Sequence, residues 1–323
     1  MSSLATTNRP LSIGDIVGRS FRIFRINIKL IAQVLVLPTV LLCAGRIGFI
    51  LGLTHLSKGN AAVDSLPTWG GLCLGGFVLL IIGGFILYVR QMALVRVFTG
   101  FSSQFPEALK FTGKRLGGLL GLSLAAFAAS IMIILVLAVA IGLCVALFAG
   151  KGLFLAAGIV GLIVASTVGF IALLFMSVVV HMCLSSMAID QDDLGTVISH
   201  SIALSSRSFV RSILFYLLTT SAVALMAYPL SIPLVGIIIG YSVSQGIMTG
   251  THHSTSELPI YLQIISQIWE QLISMVVAPI SFTCFGLYYC DLRMRQEGLD
   301  LVKRVEVMQA ENNPENNNEL ELQ

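Results

Sequence analysis

Arg46 and Glu270 are charged residues that interrupt long apolar stretches of this chain. A charge at the centre of a membrane helix costs at least about 2.5–3.5 kcal/mol, so each calls for a partner. Arg46 sits late in its stretch and Glu270 at the start of its own, which sets both towards the outer face. An ion pair between them is one expectation, and separate snorkelling to the headgroups is the other. The remaining chemistry-bearing side chains form no recognised constellation. His252-His253 cannot share a helix face. His181 and His200 would need an acid to relay a proton, and Asp190-Gln191-Asp192-Asp193 reads as a solvated loop capping a helix that starts near Asp193. No GxSxG, HExxH or Walker pattern occurs. Cys43, Cys73, Cys144, Cys183, Cys284 and Cys290 lie in or beside apolar stretches without zinc or disulfide spacing, and read as reduced, buried thiols. A non-enzymatic chain without cofactor or metal is expected.

Four prolines mark a second kind of special position. Pro38, Pro229, Pro233 and Pro279 fall inside apolar stretches, where each removes a helical hydrogen bond and favours a kink. The freed carbonyls either line a cavity or are repaired by neighbouring helices.

These residues must be held by membrane helices. Apolar residues make up 56% of the chain and charged residues 11%, against about 25% charge in a soluble domain. Six stretches reach the length of about 20 residues that a span needs: roughly 29–52, 69–89, within 116–150, 153–180, within 212–241, and 268–290. Lipid cannot satisfy the backbone, so all six are expected to be helices. Sixteen of the 19 Lys and Arg fall in the N-terminal segment, the second-to-third and fourth-to-fifth connections, and the C-terminal segment. The positive-inside rule places those segments and both termini in the cytoplasm.

Residues 12–31 are amphipathic. Ile13, Val17, Phe21, Phe24, Ile28 and Ile31 share one helical face, and Asp15, Arg19, Arg22, Arg25 and Lys29 the other. Such a helix either lies among headgroups and attracts anionic lipid or simply leads into the first span. Ile13-Gly14-Asp15-Ile16 aligns without gaps with Leu194-Gly195-Thr196-Val197, pairing Ser20 with Ser201, Ile23 with Leu204 and Ile28 with Phe209. A weaker copy starts at Pro106-Glu107-Ala108-Leu109. Three units of surface helix plus hairpin are implied. Gly71/Gly75, Gly117/Gly121 and Gly236/Gly240 form GxxxG pairs suited to close packing. The predicted fold class is therefore all-α: a polytopic membrane helical bundle of six transmembrane helices with cytoplasmic-side amphipathic interfacial helices. It comprises a disordered segment 1–10, a membrane domain 11–305 and a disordered acidic, Asn-rich tail 306–323.

Two end motifs carry a resemblance. Leu11-Ser12-Ile13-Gly14-Asp15-Ile16 with Arg19-Ser20-Phe21-Arg22-Ile23 resembles the opening LSIGEILDRSFRLYR of bacterial glycerophosphoryl diester phosphodiesterase membrane-domain proteins. Tyr288-Tyr289-Cys290-Asp291-Leu292-Arg293, with Arg295, Glu297-Gly298 and Asp300-Leu301, is similar to that group's closing YYDLRxRxEGxDL, with Cys290 inserted. The resemblance implies a bacterial plasma-membrane (inner-membrane) protein without the phosphodiesterase barrel, for which the chain has no room. Asp291, next to Arg293, is expected to bond Arg19 or Arg22 and tie the two ends together. The lipid bilayer is the expected partner, with anionic lipid at the N-terminal surface helix; a protein partner stays open, and nothing points to nucleic acid. Three functions remain in competition: organising or assisting a membrane partner or lipid, transport through a cavity between spans one, five and six, and service as the membrane subunit of a separately encoded enzyme.

Overall fold

Regular structure is entirely helical among the residues that the structure, a computed structural model, describes: 11–57, 66–148, 153–190, 193–249 and 259–297. The terminal segments expected to be disordered and His252-His253 lie outside those residues. The helices are α1 (Ile13–Ile26), α2 (Ile28–Ser57), α3 (Leu66–Phe98), α4 (Phe105–Gly113), α5 (Leu116–Phe148), α6 (Leu153–Ile189), α7 (Leu194–Arg207), α8 (Phe209–Thr249) and α9 (Ile260–Glu297). Six of them, α2, α3, α5, α6, α8 and α9, are long and apolar enough to cross a membrane. The chain is a multi-pass membrane protein.

The order is short–long–long, three times over. α1, α4 and α7 each precede a hairpin of two long helices, and each hairpin packs its two arms together: α2 on α3, α5 on α6, α8 on α9. Each short helix lies on the second arm of the preceding hairpin, α4 on α3 and α7 on α6, and α1 lies on α9. That last contact closes the series into a ring. The second arms α3, α6 and α9 pack on one another at its centre. Most fully buried side chains gather at the end of the bundle that carries the short helices, here called the basic end. They come from α1, the last turns of α3 and α6, and the second half of α9.

The first and third units share their local geometry residue by residue. N-caps Ser12 and Asp193 have φ/ψ of −73°/157° and −71°/156°. The buried set is Ile16, Ser20, Ile23 and Phe24 in α1, and Val197, Ser201, Leu204 and Ser205 in α7, the same four positions. Asn27 and Ser208 then break the helices before α2 and α8, at φ/ψ of −107°/20° and −117°/38°. In α4 the buried residues are Ala108 and Thr112. Thr112 Oγ1 donates to the Ala108 carbonyl at 3.0 Å, as Ser20 Oγ does to the Ile16 carbonyl at 2.9 Å. The second unit is therefore in register when Phe105, one residue before the expected start, stands opposite Ile13.

Two expectations change. The apolar side of α1, including Ile13, Val17 and Phe21, packs into the protein core rather than being left for lipid. The GxxxG glycines Gly71, Gly75, Gly117, Gly236 and Gly240 face open space, and Gly121 meets only the Leu194 side chain. The close helix contact uses other small residues. A methyl group added at Gly76 would sit 2.4 Å from the Phe49 nitrogen, and one at Gly52 2.6 Å from the Cys73 nitrogen. GxxxG spacing marks small residues but does not say which face meets a neighbour; the pair that lies on the α2–α3 contact is Gly48/Gly52, with Gly45 beside it. Gly76→Ala therefore forces α2 from α3 and lowers the thermal unfolding temperature in detergent, whereas Gly75→Ala leaves it unchanged; equal losses would contradict this packing.

Candidate functional site

The prolines open the question of where unpaired carbonyls go. Pro38 has no N–H for the carbonyl four residues back, Val34. Arg90 of α3 supplies a donor: its Nη1 bonds that carbonyl at 2.5 Å. In α8, which contains Pro229 and Pro233, the Leu230 carbonyl accepts from Trp269 Nε1 of α9 at 2.7 Å. After Pro279, Thr283 Oγ1 donates back to the Pro279 carbonyl at 2.7 Å. Of these, the Arg90 bond repairs a carbonyl freed by a proline from across the helix pair.

At the basic end, arginines perform the same service for helix termini. The last carbonyls of a helix have no partner within it. Arg96 Nη1 caps α6 by donating to Ala188 and Ile189 at 2.9 and 3.0 Å, and Arg115 Nη1 donates to Met187 at 3.1 Å. Both guanidinium groups stack on the Phe111 ring, 3.6 and 4.7 Å from its centroid, a favourable cation–π arrangement.

Asp291 closes the ring. Its side chain is fully buried. Oδ1 accepts the backbone N–H of Leu11 at 2.7 Å, and Oδ2 accepts Arg211 Nη2 at 2.7 Å and Arg295 Nε at 3.0 Å. The same two arginines also donate to the Leu11 carbonyl, at 3.2 and 2.8 Å. One carboxylate therefore joins the entry to α1, the first turn of α8 and the end of α9. Beneath it Tyr288 bonds Ser212 at 3.1 Å and stacks on Phe215 with centroids 3.9 Å apart. The expected tie between the two ends is present, but its partners differ: Asp291 bonds Arg211, Arg295 and the Leu11 backbone, not Arg19 or Arg22. The α1 backbone itself approaches α9 too closely for a long side chain to be needed.

Arg293 points elsewhere, to Asp190 at 2.5 Å. Asp190 also accepts from Tyr289 Oη at 2.5 Å, and that hydroxyl lies 3.2 Å from Ser186 Oγ and 3.4 Å from His200 Nδ1. Asp190 is thus mostly buried in a polar cluster, not a solvated loop residue. Asp193 is the N-cap of α7 through its backbone and makes no side-chain cap bond. His181 bonds the Ser177 carbonyl at 2.7 Å and packs on Phe285. Asp190 and Asp291 are both bound by arginines, so the arrangement positions helices. Sequence reasoning missed Arg90, Arg96, Arg115 and Arg211. The carbonyl four residues before Pro38 and the helix end at Asp190 were legible acceptors that needed donors.

Away from the basic end, Arg46 Nη1 lies 3.0 Å from Glu270 Oε2 and 3.4 Å from Gln267 Oε1. The pair joins α2 to α9. Both side chains remain about half exposed, at 42% and 52%. No protein-family model matches the chain, and neither a curated protein nor a solved structure does.

Removing Asp291 leaves the Leu11 N–H without its acceptor and two arginines, each about a third exposed, without their acid, a change worth about 1–3 kcal/mol. Asp291→Ala is expected to lower the thermal unfolding temperature by several degrees. Asp193→Ala, which removes no side-chain cap bond, should leave it in place. Comparable shifts in the two variants would refute the role given to Asp291.

Proposed function

We propose that this chain is a non-enzymatic protein of the bacterial inner membrane, with both termini cytoplasmic, that organises anionic lipid or a lipid-bound partner at its basic end. One observation carries the reading: most of the described cations at the basic end fall into two sets. Arg90, Arg96, Arg115, Arg211, Arg293 and Arg295 are committed to carbonyls and acids within the fold. Arg22, Arg25, Lys29, Lys110, Lys114 and Arg207 are exposed instead. These lie on the short helices or at the elbows where those helices turn into the spans.

Large apolar side chains are exposed directly beside them: Ile26 and Ile28 by Arg25 and Lys29, Leu116 by Lys114, Phe209 and Val210 by Arg207. A cation next to exposed apolar surface matches the boundary where phosphate gives way to acyl chain. The elbow recurs in all three units, which sets a ring of such positions at one level. Each cation near an anionic surface adds about 1 kcal/mol, or about a fivefold preference. The end-motif resemblance supports the bacterial membrane setting.

Arg22, Arg25 and Lys29 carry a direct test. The protein is purified from bilayers containing phosphatidylglycerol and phosphatidylcholine, and the retained lipid is measured by native mass spectrometry. The wild type should retain phosphatidylglycerol preferentially. The variant Arg22→Gln/Arg25→Gln/Lys29→Gln should lose most of that preference with unchanged thermal unfolding. An unchanged preference would count against the reading.

A further inference from the structure

The depth of the Arg46–Glu270 pair follows from helix lengths. The apolar stretch of α8 runs over 36 residues, Phe209–Ser244, about 54 Å of helix. The hydrocarbon core is about 30 Å thick, and even a tilt of about 40° lets only about 39 Å fit within it. The spans overfill the bilayer, so the apolar residues beyond the polar pair compete for the same hydrocarbon. In α2 those are Ile47, Phe49, Ile50, Leu51 and Leu53, of which Leu53 is exposed; in α8 they include exposed Ile237, Ile239 and Val243.

Arg46 follows the elbow at Asn27 by 19 residues, about 28 Å along the helix. At tilts of about 20–40° that is a depth of about 22–27 Å. The pair then lies in the far third of a core about 30 Å thick, with apolar surface on both sides.

Charges at that depth need satisfied hydrogen bonds. Arg46 uses one nitrogen, Nη1, for both of its bonds. Glu270 uses one oxygen, Oε2. Guanidinium carries five N–H donors and a carboxylate about four acceptor sites. Among the described residues, Arg46 Nη2 and Nε and Glu270 Oε1 have no hydrogen-bond partner. Both side chains are half exposed, so these atoms are reachable from the side. What remains unsatisfied is a donor surface and an acceptor surface next to each other. The matching ligand is a zwitterion, an anion for Arg46 joined to an ammonium for Glu270, brought in without net charge.

We propose that Arg46, Glu270 and Gln267 form a lateral site for the headgroup of a phosphoethanolamine lipid. The phosphate bonds Arg46, and the primary ammonium bonds Glu270 and Gln267. The lipid is drawn slightly into the far leaflet against α2 and α9. The proposal rests on the lipid-organising reading above and adds a second, chemically distinct lipid class at the opposite end of the spans.

The test uses the full chain in nanodiscs of phosphatidylethanolamine and phosphatidylglycerol, with retained lipid counted by native mass spectrometry. The wild type should hold phosphatidylethanolamine, and Arg46→Gln and Glu270→Gln should each lower that retention about fivefold relative to phosphatidylglycerol. Replacing phosphatidylethanolamine by phosphatidylcholine should weaken retention similarly, because a quaternary nitrogen cannot donate to a carboxylate. Thermal unfolding is followed in parallel. A pair that only staples α2 to α9 would lower unfolding temperature and leave the lipid ratio unchanged, which would overturn the site. Competition by soluble glycerophosphoethanolamine at equal concentration would overturn the lipid as its source. If phosphatidylglycerol preference still depends on Arg22, Arg25 and Lys29 while the ratio ignores Arg46 and Glu270, this inference fails alone.

Discussion

A carboxylate held entirely out of solvent is costly unless its hydrogen bonds are complete, and Asp291 completes them by drawing three distant parts of the chain together. Leu11 and Asp291 are 280 residues apart. The other two short-helix contacts, α4 on α3 and α7 on α6, join neighbours in sequence and cost little loop entropy to form. The contact of α1 with α9 has no such advantage. It needs an interaction strong enough to repay the closure, and a buried, doubly cationic, backbone-anchored acid provides one.

The remaining arginine chemistry follows from that ring. Once α3, α6 and α9 meet at its centre, their ends and kinks sit in reach of one another. Carbonyls freed by Pro38 or by the end of α6 cannot be left in hydrocarbon or in a packed core. Arg90, Arg96 and Arg115 reach across to them. Charge that looks from the sequence like a topogenic signal therefore also satisfies the backbone. The cations left exposed are those on the outer faces of the short helices and at the elbows, which is why the lipid reading attaches to them.

The six spans were legible because apolar length is a coarse, additive property, and the repeat was legible because burial imposes the same residue sizes at the same positions: Ser20 and Ser201, Ile23 and Leu204. Boundaries were less so. The stretch read as one amphipathic segment, 12–31, breaks at Asn27, since nothing local distinguishes a capped helix end from a continuing one there. The helices also run well past the expected spans, α9 from Ile260 rather than 268. Partner choice was the least legible. Asp291 was recognisable as a tie between chain ends, yet Arg211 lies on the other arm of its own hairpin, 80 residues away, and only the folded hairpin brings it near. The choice of glycine pairs misled for a related reason: spacing records small side chains without recording which face has a neighbour, and the Gly48/Gly52 pair, not the three singled out, lies on the α2–α3 contact. The Arg46–Glu270 pair was foreseeable because both charges lie at matching depth in apolar stretches that must run side by side.

Both lipid proposals presuppose that the ring holds the spans at fixed relative depth, so closure by Asp291 is the claim to test. Hydrogen exchange of the backbone amides of α1, α4 and α7, compared between the wild type and Asp291→Asn in the same detergent, does so directly. The account predicts that α1 amides lose protection in the variant while α4 and α7, held by their neighbours in sequence, keep theirs. Unchanged protection of α1 would contradict it.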